Sequence, residues 1–324
     1  MSVSVNTKDI FSISSSGDFE AKALEIFRFQ AQSCKVYKDY LNAIGVDPSD
    51  VQTLEQIPML PIELFKSHEI YCGSKPAQIV FTSSATTGMV PSNHHVADVA
   101  IYEESFMRGF ELFYGRPKDM CIYALLPNYL EREGSSLVYM FDKLIKAASS
   151  GGFYLYDTDK MLEQMASFEG PKLLLGVSYA LLDLAEAGVT LPENTMVMET
   201  GGMKGRRKEM TKQELHTTLC QGLGVDSIHS EYGMAELLSQ AYSSGQGVFT
   251  PSPWLDIRVR DLNDPFRWVK DGHMGGINII DLANVYSCSF IQTQDLGTRY
   301  DNGTFSLGGR ISGSDIRGCN LLVQ

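Results

Sequence analysis

Between residues 19 and 44 the apolar residues Leu24, Phe27, Ala31, Cys34, Tyr37, Leu41 and Ile44 recur at steps of three or four. That spacing puts them on one face of a helix. One helix over 19–44 is therefore predicted, with Gly45 as its stop. Ile57-Pro58-Met59-Leu60-Pro61-Ile62 follows as a stiff, apolar connection. From about residue 78 short apolar runs alternate with helical patterns. Strands are predicted over 78–81, 120–126, 152–156, 172–177 and 195–199, and helices over 98–114, 135–148 and 178–187. Near-continuous apolar strands separated by helices imply a mainly parallel sheet covered on both faces. Thr211 and Glu214 make a capping box at the start of another helix, which Gly222 or Gly224 can close. A strand over 225–229 leads into Ser230-Glu231-Tyr232-Gly233.

Beyond about residue 250 the helical pattern stops. Leu255-Asp256-Ile257-Arg258-Val259-Arg260 alternates as a half-buried strand does, and strands over 277–281, 287–293 and 304–307 follow, separated by Gly, Asn and Asp turns. The fold class is α/β: a layered, mainly parallel sheet with helices, plus a small β-rich C-terminal part. With no Pro/Gly/Ser linker dividing it, the chain reads as a single composite domain over 1–324. A helical segment (1–77) precedes an α/β core (78–250) and a β-rich part with a tail (251–324).

Hydrophobic residues make up 44% and charged residues 20% of the 324, an ordinary globular composition. The net charge of −12 argues against nucleic acid or anionic lipid as a partner. The densest basic run, Lys204-Gly205-Arg206-Arg207-Lys208, is short and flanked by acidic residues. The N-terminus lacks the apolar core of a signal peptide, and no apolar run reaches the ~18 residues of a membrane span. Six scattered cysteines without a C-x-x-C pair argue against a disulfide framework or zinc site. A cytoplasmic location is expected.

Three segments could carry chemistry. Phe81-Thr82-Ser83-Ser84-Ala85-Thr86-Thr87-Gly88 follows a predicted strand and is rich in small hydroxyl residues that could present O–H and N–H donors to phosphate. Read alone, it is equally a polar surface turn. In Glu231-Tyr232-Gly233-Met234-Ala235-Glu236, Tyr232 could stack on a base and Glu236 could hold Mg²⁺, or the segment is an ordinary turn bent at Gly233. Asp295, at a strand end, could accept from ribose hydroxyls, though a turn Asp is the commoner role.

In their order and spacing these segments resemble the adenylate-forming superfamily, which includes acyl-CoA synthetases, luciferase-like enzymes and peptide-synthetase adenylation domains. The resemblance runs from roughly residue 80 to the C-terminus. It makes Ser83, Ser84, Thr86, Thr87 and Gly88 a phosphate loop, Gly201 and Gly202 the glycine pair at the adenine, and Glu231, Tyr232, Gly233, Met234 and Glu236 a Y-G-x-x-E segment. It likewise makes Asp295 the ribose-binding acid and Gly309-Arg310 the later Gly-Arg. A narrower resemblance covers nearly the whole chain. Phe27-Arg28-Phe29-Gln30, Leu60-Pro61-Ile62-Glu63-Leu64-Phe65-Lys66 and the Gly309-Arg310-Ile311-Ser312-Gly313-Ser314-Asp315-Ile316-Arg317-Gly318-Cys319 ending are similar to the acyl-protein synthetases of bacterial luminescence operons, the LuxE-like family.

The resemblance implies that a carboxylate, such as a fatty acid, attacks ATP to give acyl-adenylate and pyrophosphate, with Mg²⁺ at Glu236. The acyl group then passes to Cys319 and on to an acyl reductase or acyl carrier. Arg317 beside Cys319 favours the thiolate, though read alone a cysteine is more often a small buried hydrophobe. Ala85 stands where the superfamily has Gly, so the loop is expected to differ in shape. The chain stops soon after Arg310, so the superfamily's mobile C-terminal domain is expected to be absent. Two rival readings are an acyl- or aryl-CoA ligase, with CoA as acceptor, and a non-catalytic nucleotide-binding subunit. His94 could line an acyl pocket, and Pro127-Asn128-Tyr129 could touch the carboxylate, though a helix entry is the commoner role for such a segment.

Overall fold

The computed structural model describes residues 5–83, 90–126, 134–154, 157–201 and 210–311. The helix predicted over 19–44 is divided. α1 spans Ser16–Ser33 and α2 Lys35–Ala43, because Cys34 between them takes extended backbone at φ −89° and ψ 105°. The apolar stripe runs on across the break, so periodicity carries no sign of it. Ser15 caps α1 by accepting from the Asp18 N–H. Gly45, at φ 72°, follows α2 as the expected stop.

β1 (Leu60–Pro61), α3 (Leu64–Ser67), β2 (Ile79–Thr82) and β3 (Asn93–Val96) come next. β3 lies where no strand was predicted, since His94 and His95 interrupt any apolar run. The alternating stretch is α4 (Val99–Tyr114), β4 (Cys121–Leu125), α5 (Ser136–Ala147), β5 (Ser150–Tyr154), α6 (Thr158–Ala166), β6 (Lys172–Val177), α7 (Ser178–Glu186) and β7 (Thr195–Thr200). Only α6 has no predicted counterpart. α8 (Lys212–Leu223) opens with the expected Thr211–Glu214 capping box and closes at Gly224, left-handed at φ 68°. β8 (Ile228–Tyr232) begins three residues later than the strand predicted over 225–229. β9 (Ala241–Ser243), β10 (Val248–Pro251), β11 (Leu255–Arg260), β12 (Met274–Asp281), β13 (Phe290–Arg299) and β14 (Phe305–Arg310) complete the chain, with no helix after Leu223 among the described residues. No helix among them is long and apolar enough to cross a membrane.

The chain divides into two compact units, each assembled from separated stretches. The first comprises Met1–Phe106, Gly233–Gln240 and Pro251–Phe305, and the second Met107–Tyr232, Ala241–Thr250 and the chain from Ser306. In the first, β12 pairs antiparallel with β11 and β13, and β1 lies parallel to β13. Phe27 of α1 packs edge-on against Tyr37 and Phe290, with ring centroids 6.0 and 6.1 Å apart. Gln30, buried on α1, donates to the carbonyls of Asn284 and Val285 and accepts from the Ser289 N–H, pinning the β12–β13 connection.

In the second unit the strand order is β14-β10-β9-β8-β7-β6-β4-β5. β5, β4, β6, β7 and β8 run parallel, and β9 antiparallel to β8. β4 and β6 are buried at every position, as strands of a parallel sheet covered on both faces should be. The α/β class, with a strand-rich C-terminal part, is thus the architecture observed.

Candidate active site

In the second unit, β7 and β8 lie side by side and parallel, with Glu199 opposite Ser230. Ligands of open α/β sheets bind beyond the carboxyl ends of such strands. Gly201 follows β7 and Tyr232 ends β8. Gly201 takes φ 73°, a conformation that glycine adopts without strain, and its carbonyl accepts from Ser178 Oγ at 3.2 Å. Thr200 Oγ1 donates to Glu231 at 3.0 Å, so the structure brings the Gly201 turn and the Glu231-Tyr232 pair together. Tyr232 is buried, its ring centroid 5.9 Å from that of Phe249. Arg310 ends β14 in this unit.

Two buried carboxylates stand behind these strand ends. Glu199 accepts from Ser230 Oγ at 2.6 Å, pairs with Lys212 Nζ, and lies 3.4 Å from His216 Nε2. Burial pushes its carboxyl up, but Lys212 and His216 together outweigh burial and hold the pKa at about 2. Glu231 makes no ion pair among the described residues. Burial, reinforced by the charge of Glu199, lifts it to about 7 against the opposing Thr200 bond and the charge of Lys212. A cavity of about 910 Å³ runs along α8, lined among others by Lys212, His216, Cys220, Phe249 and Leu307. That volume falls in the ~300–1,000 Å³ range of small-molecule sites.

The first unit holds the other candidates. Ser83 follows β2, where its N–H donates to the Ser92 carbonyl at 3.1 Å and its Oγ accepts from the Ser92 N–H at 2.8 Å. Gly233, Met234 and Glu236 lie in a short segment gripped by Asp281. The Asp281 carboxylate accepts from the N–H groups of Leu238, Ser239 and Ala283 at 2.7, 3.0 and 3.1 Å, and from Ser239 Oγ at 2.5 Å. Burial still lifts Asp281 to about 6 against these bonds. His94 is buried against this segment, with Nδ1 2.8 Å from the Ala235 carbonyl. Phe65 of α3 meets its ring edge-on at 5.8 Å.

Asp295 is buried beside an irregularity in the sheet. Gly276 faces Leu296, whereas Asn278 faces Gln292, so two steps on β12 span four on β13. Bulges of this kind redirect side chains and recur near functional sites. Arg260 staples it. Its Nη1 donates to the Ile277 carbonyl at 2.8 Å and to Asn278 Oδ1 at 2.9 Å, and its Nη2 to the Thr293 carbonyl at 2.5 Å. A Cβ at Gly276 would stand 2.5 Å from the guanidinium carbon, so glycine is what admits the arginine. Burial draws Arg260 down to about 10, with Glu63 and Asp295 acting the other way.

Ser84, Ala85, Thr86, Thr87, Gly88, Asn128, Tyr129, Gly202, the Lys204–Lys208 run and Cys319 lie outside the described residues. Among the described residues no group of three His, Cys, Asp or Glu side chains is gathered for a metal ion. Arg260, Asp281 and Asn284 were missed by sequence reasoning. Arg260 was read only as a position in an alternating strand, and nothing local marks Asp281 or Asn284, whose partners lie about forty residues away.

No family model matches the chain, and no curated protein matches it by sequence. Solved structures do. The 2-hydroxyisobutyryl-CoA ligase HCL, in the postadenylation state in complex with R3-HIB-AMP, superposes with a TM-score of 0.70 at 13% identity, covering 94% of this chain and 70% of the ligase. ATP-bound MatB from Rhodopseudomonas palustris superposes with a TM-score of 0.53 at 18% identity over 71% of this chain. An ATP-bound RpMatB-BxBclM chimera gives 0.55 at 18%. This chain has the fold of those ligases. It spans 47% of the length of MatB and of the chimera.

Proposed function

We propose that the chain activates a carboxylic acid with ATP as an acyl-adenylate. The observation that carries this reading is the placement of Gly201 and Tyr232 at the carboxyl ends of adjacent parallel strands, in a fold shared with ligases solved with ATP and with an adenylate. In the proposed reaction a carboxylate oxygen attacks the α-phosphorus of ATP and the bond to pyrophosphate breaks, the electron pair leaving on the pyrophosphate oxygen. Tyr232 and the Gly201 turn hold the base, Asp295 the ribose, and Arg310 and the 83–88 loop the phosphates. Glu236 would supply a hard oxygen ligand for Mg²⁺, and the ion would supply positive charge to offset that on the pyrophosphate leaving group.

The finer reading is transfer to protein. The Cys319 thiolate attacks the acyl carbon, AMP leaves, and the thioester passes its acyl group to an acyl reductase or carrier. The resemblance of the 27–30, 60–66 and 309–319 segments to acyl-protein synthetases supports it. Transfer to CoA is the second reading, favoured by the CoA ligases that share the fold.

Carboxylate-dependent ATP–pyrophosphate exchange tests the first step, with a panel from short hydroxy acids to long-chain fatty acids. Exchange with one class is expected, and none with any acid would overturn adenylation. Labelled acid then separates the acceptors. Hydroxylamine-labile label on denatured protein, abolished by Cys319→Ser, is expected for protein transfer, whereas acyl-CoA formation with unlabelled protein refutes it.

A further inference from the structure

Two cysteines of the first unit meet side chain to side chain. Cys34 stands at the break between α1 and α2. Its N–H donates to the Gln30 carbonyl and its carbonyl accepts from the Lys38 N–H, each at 2.9 Å, so it closes one helix and opens the next. That position puts its sulfur at the start of α2, where the Val36 and Tyr37 N–H groups donate to it, and the Tyr71 N–H reaches it from the loop after α3. Donors at a helix start favour a thiolate. Cys72, next to Tyr71, hydrogen-bonds the same sulfur. The connection after β12 holds Cys72 in place. The Cys72 N–H donates to the Tyr286 carbonyl at 2.8 Å, and its thiol to the Ser287 carbonyl at 3.0 Å. Cys34 is fully buried, whereas Cys72 is partly exposed.

We propose that Cys34 and Cys72 are a peroxide-reactive dithiol, in which Cys34 is oxidised first and Cys72 closes the disulfide. The Cys34 thiolate attacks one oxygen of hydrogen peroxide. The O–O bond breaks, and its electron pair leaves on the other oxygen, which takes up a proton as water. Cys34 is then a sulfenic acid. The Cys72 sulfur gives up its proton and attacks the Cys34 sulfur, the S–O bond breaks, and the oxygen leaves with that proton as a second water. Two thiols and one peroxide thus give one disulfide and two waters. The two sulfurs lose two electrons between them and the peroxide gains them. The order of the steps follows from the surroundings of each sulfur. The Cys72 bond and the three N–H groups outweigh burial and bring Cys34 down to about 7, while its bond to Cys34 and burial push Cys72 well up. Cys121 and Cys288, buried as completely as Cys34, are both pushed upward by that burial. Main-chain bonds fix both partners, so the sulfurs are held against each other. The disulfide takes the Cys72 donor from the Ser287 carbonyl and ties the α1–α2 break to the loop after α3.

The test is peptide mapping by mass spectrometry on the reduced full chain after treatment with hydrogen peroxide. The tryptic peptide ending at Lys35 should appear joined to the one beginning at Ser67, and dithiothreitol should separate them again. Under limiting peroxide at neutral pH, Cys34 should be consumed about tenfold or more faster than the equally buried Cys121 and Cys288. In Cys72→Ser, oxidation should stop at the Cys34 sulfenic acid, which dimedone traps. Peroxide that oxidises other cysteines and leaves Cys34 and Cys72 as thiols overturns the proposal. So does a Cys34 that reacts no faster than Cys121 and Cys288, or one that is oxidised in the wild type without linking to Cys72. The wild-type mapping decides the matter even where the variant fails to fold. No readout needs turnover, so absence of pyrophosphate exchange would sink the functional reading while leaving this one standing.

Discussion

Asp281 and Glu199 are both fully buried carboxylates, one in each unit, and burial pushes both upward. Asp281 is met by three main-chain N–H groups and a hydroxyl, and settles at about 6. Glu199 is met by the Lys212 cation, His216 and two serine hydroxyls, and settles at about 2. Here the N–H groups and the hydroxyl offset the desolvation of Asp281 less than Lys212 and His216 offset that of Glu199. The two units use their buried charges differently as a result. Asp281 and Arg260 in the first unit hold main chain in place, the 233–240 segment and the Asp295 bulge. Glu199 and Lys212 in the second hold each other, and among the described residues Glu231 beside them has no ion pair.

Breaking the ion pair should give the largest effect. Lys212→Met leaves Glu199 buried without its cation and should cost about 3–5 kcal/mol in urea unfolding. Lys212→Met/Glu199→Leu should recover most of that loss if the pair, rather than the lysine's packing, is responsible. Asp281→Ala strands its main-chain donors and should cost about 3 kcal/mol, with the loss of protection concentrated at Leu238 and Ser239 in hydrogen exchange. Arg260→Met should cost about 2 kcal/mol through the unmet carbonyls of Ile277 and Thr293. If Asp295 binds ribose, the same change should weaken ATP binding far more than it weakens acid binding.

Glu231 gives a pH-dependent test. Its folded pKa of about 7 lies above the ordinary 4.5, so the folded chain holds more protons than the unfolded chain between those values. Stability should therefore fall as pH climbs through that window, and Glu231→Gln should flatten the fall. Glu199 behaves oppositely. Its contribution is present above its ordinary 4.5 and is lost as pH drops toward about 2. The smallest effect is expected for Thr211→Ala, which removes the α8 cap and should cost about 1 kcal/mol in both thermal and urea unfolding.

The regions legible in advance were those whose partners are close in sequence. The 172–177 strand was placed to the residue, and the Thr211–Glu214 box marked the start of α8, because burial on both faces and a cap each leave a local signature. The split at Cys34 was not legible, since the apolar stripe continues through it and neither glycine nor proline marks the change of direction. β3 was hidden by its histidines. The Glu231-Tyr232 segment was legible as a candidate, but that Glu231 sits high and Glu199 low depends on which cation reaches which carboxylate in space.

The sequence by itself determined the alternation of apolar strands and helices, the antiparallel character after residue 250, and the order of the Ser83, Gly201, Tyr232, Glu236 and Asp295 segments. Each is a matter of local periodicity or turn chemistry. Only the tertiary structure decided that Gln30 would pin the 284–289 connection, that Gly276 would admit Arg260 at the Asp295 bulge, and that His94 would face two acceptors at once. Those outcomes join residues as far apart as 259 positions, and none joins near neighbours in sequence. Local propensity is silent at such range, and the partners are chosen by which buried donors and acceptors the packed core leaves facing one another.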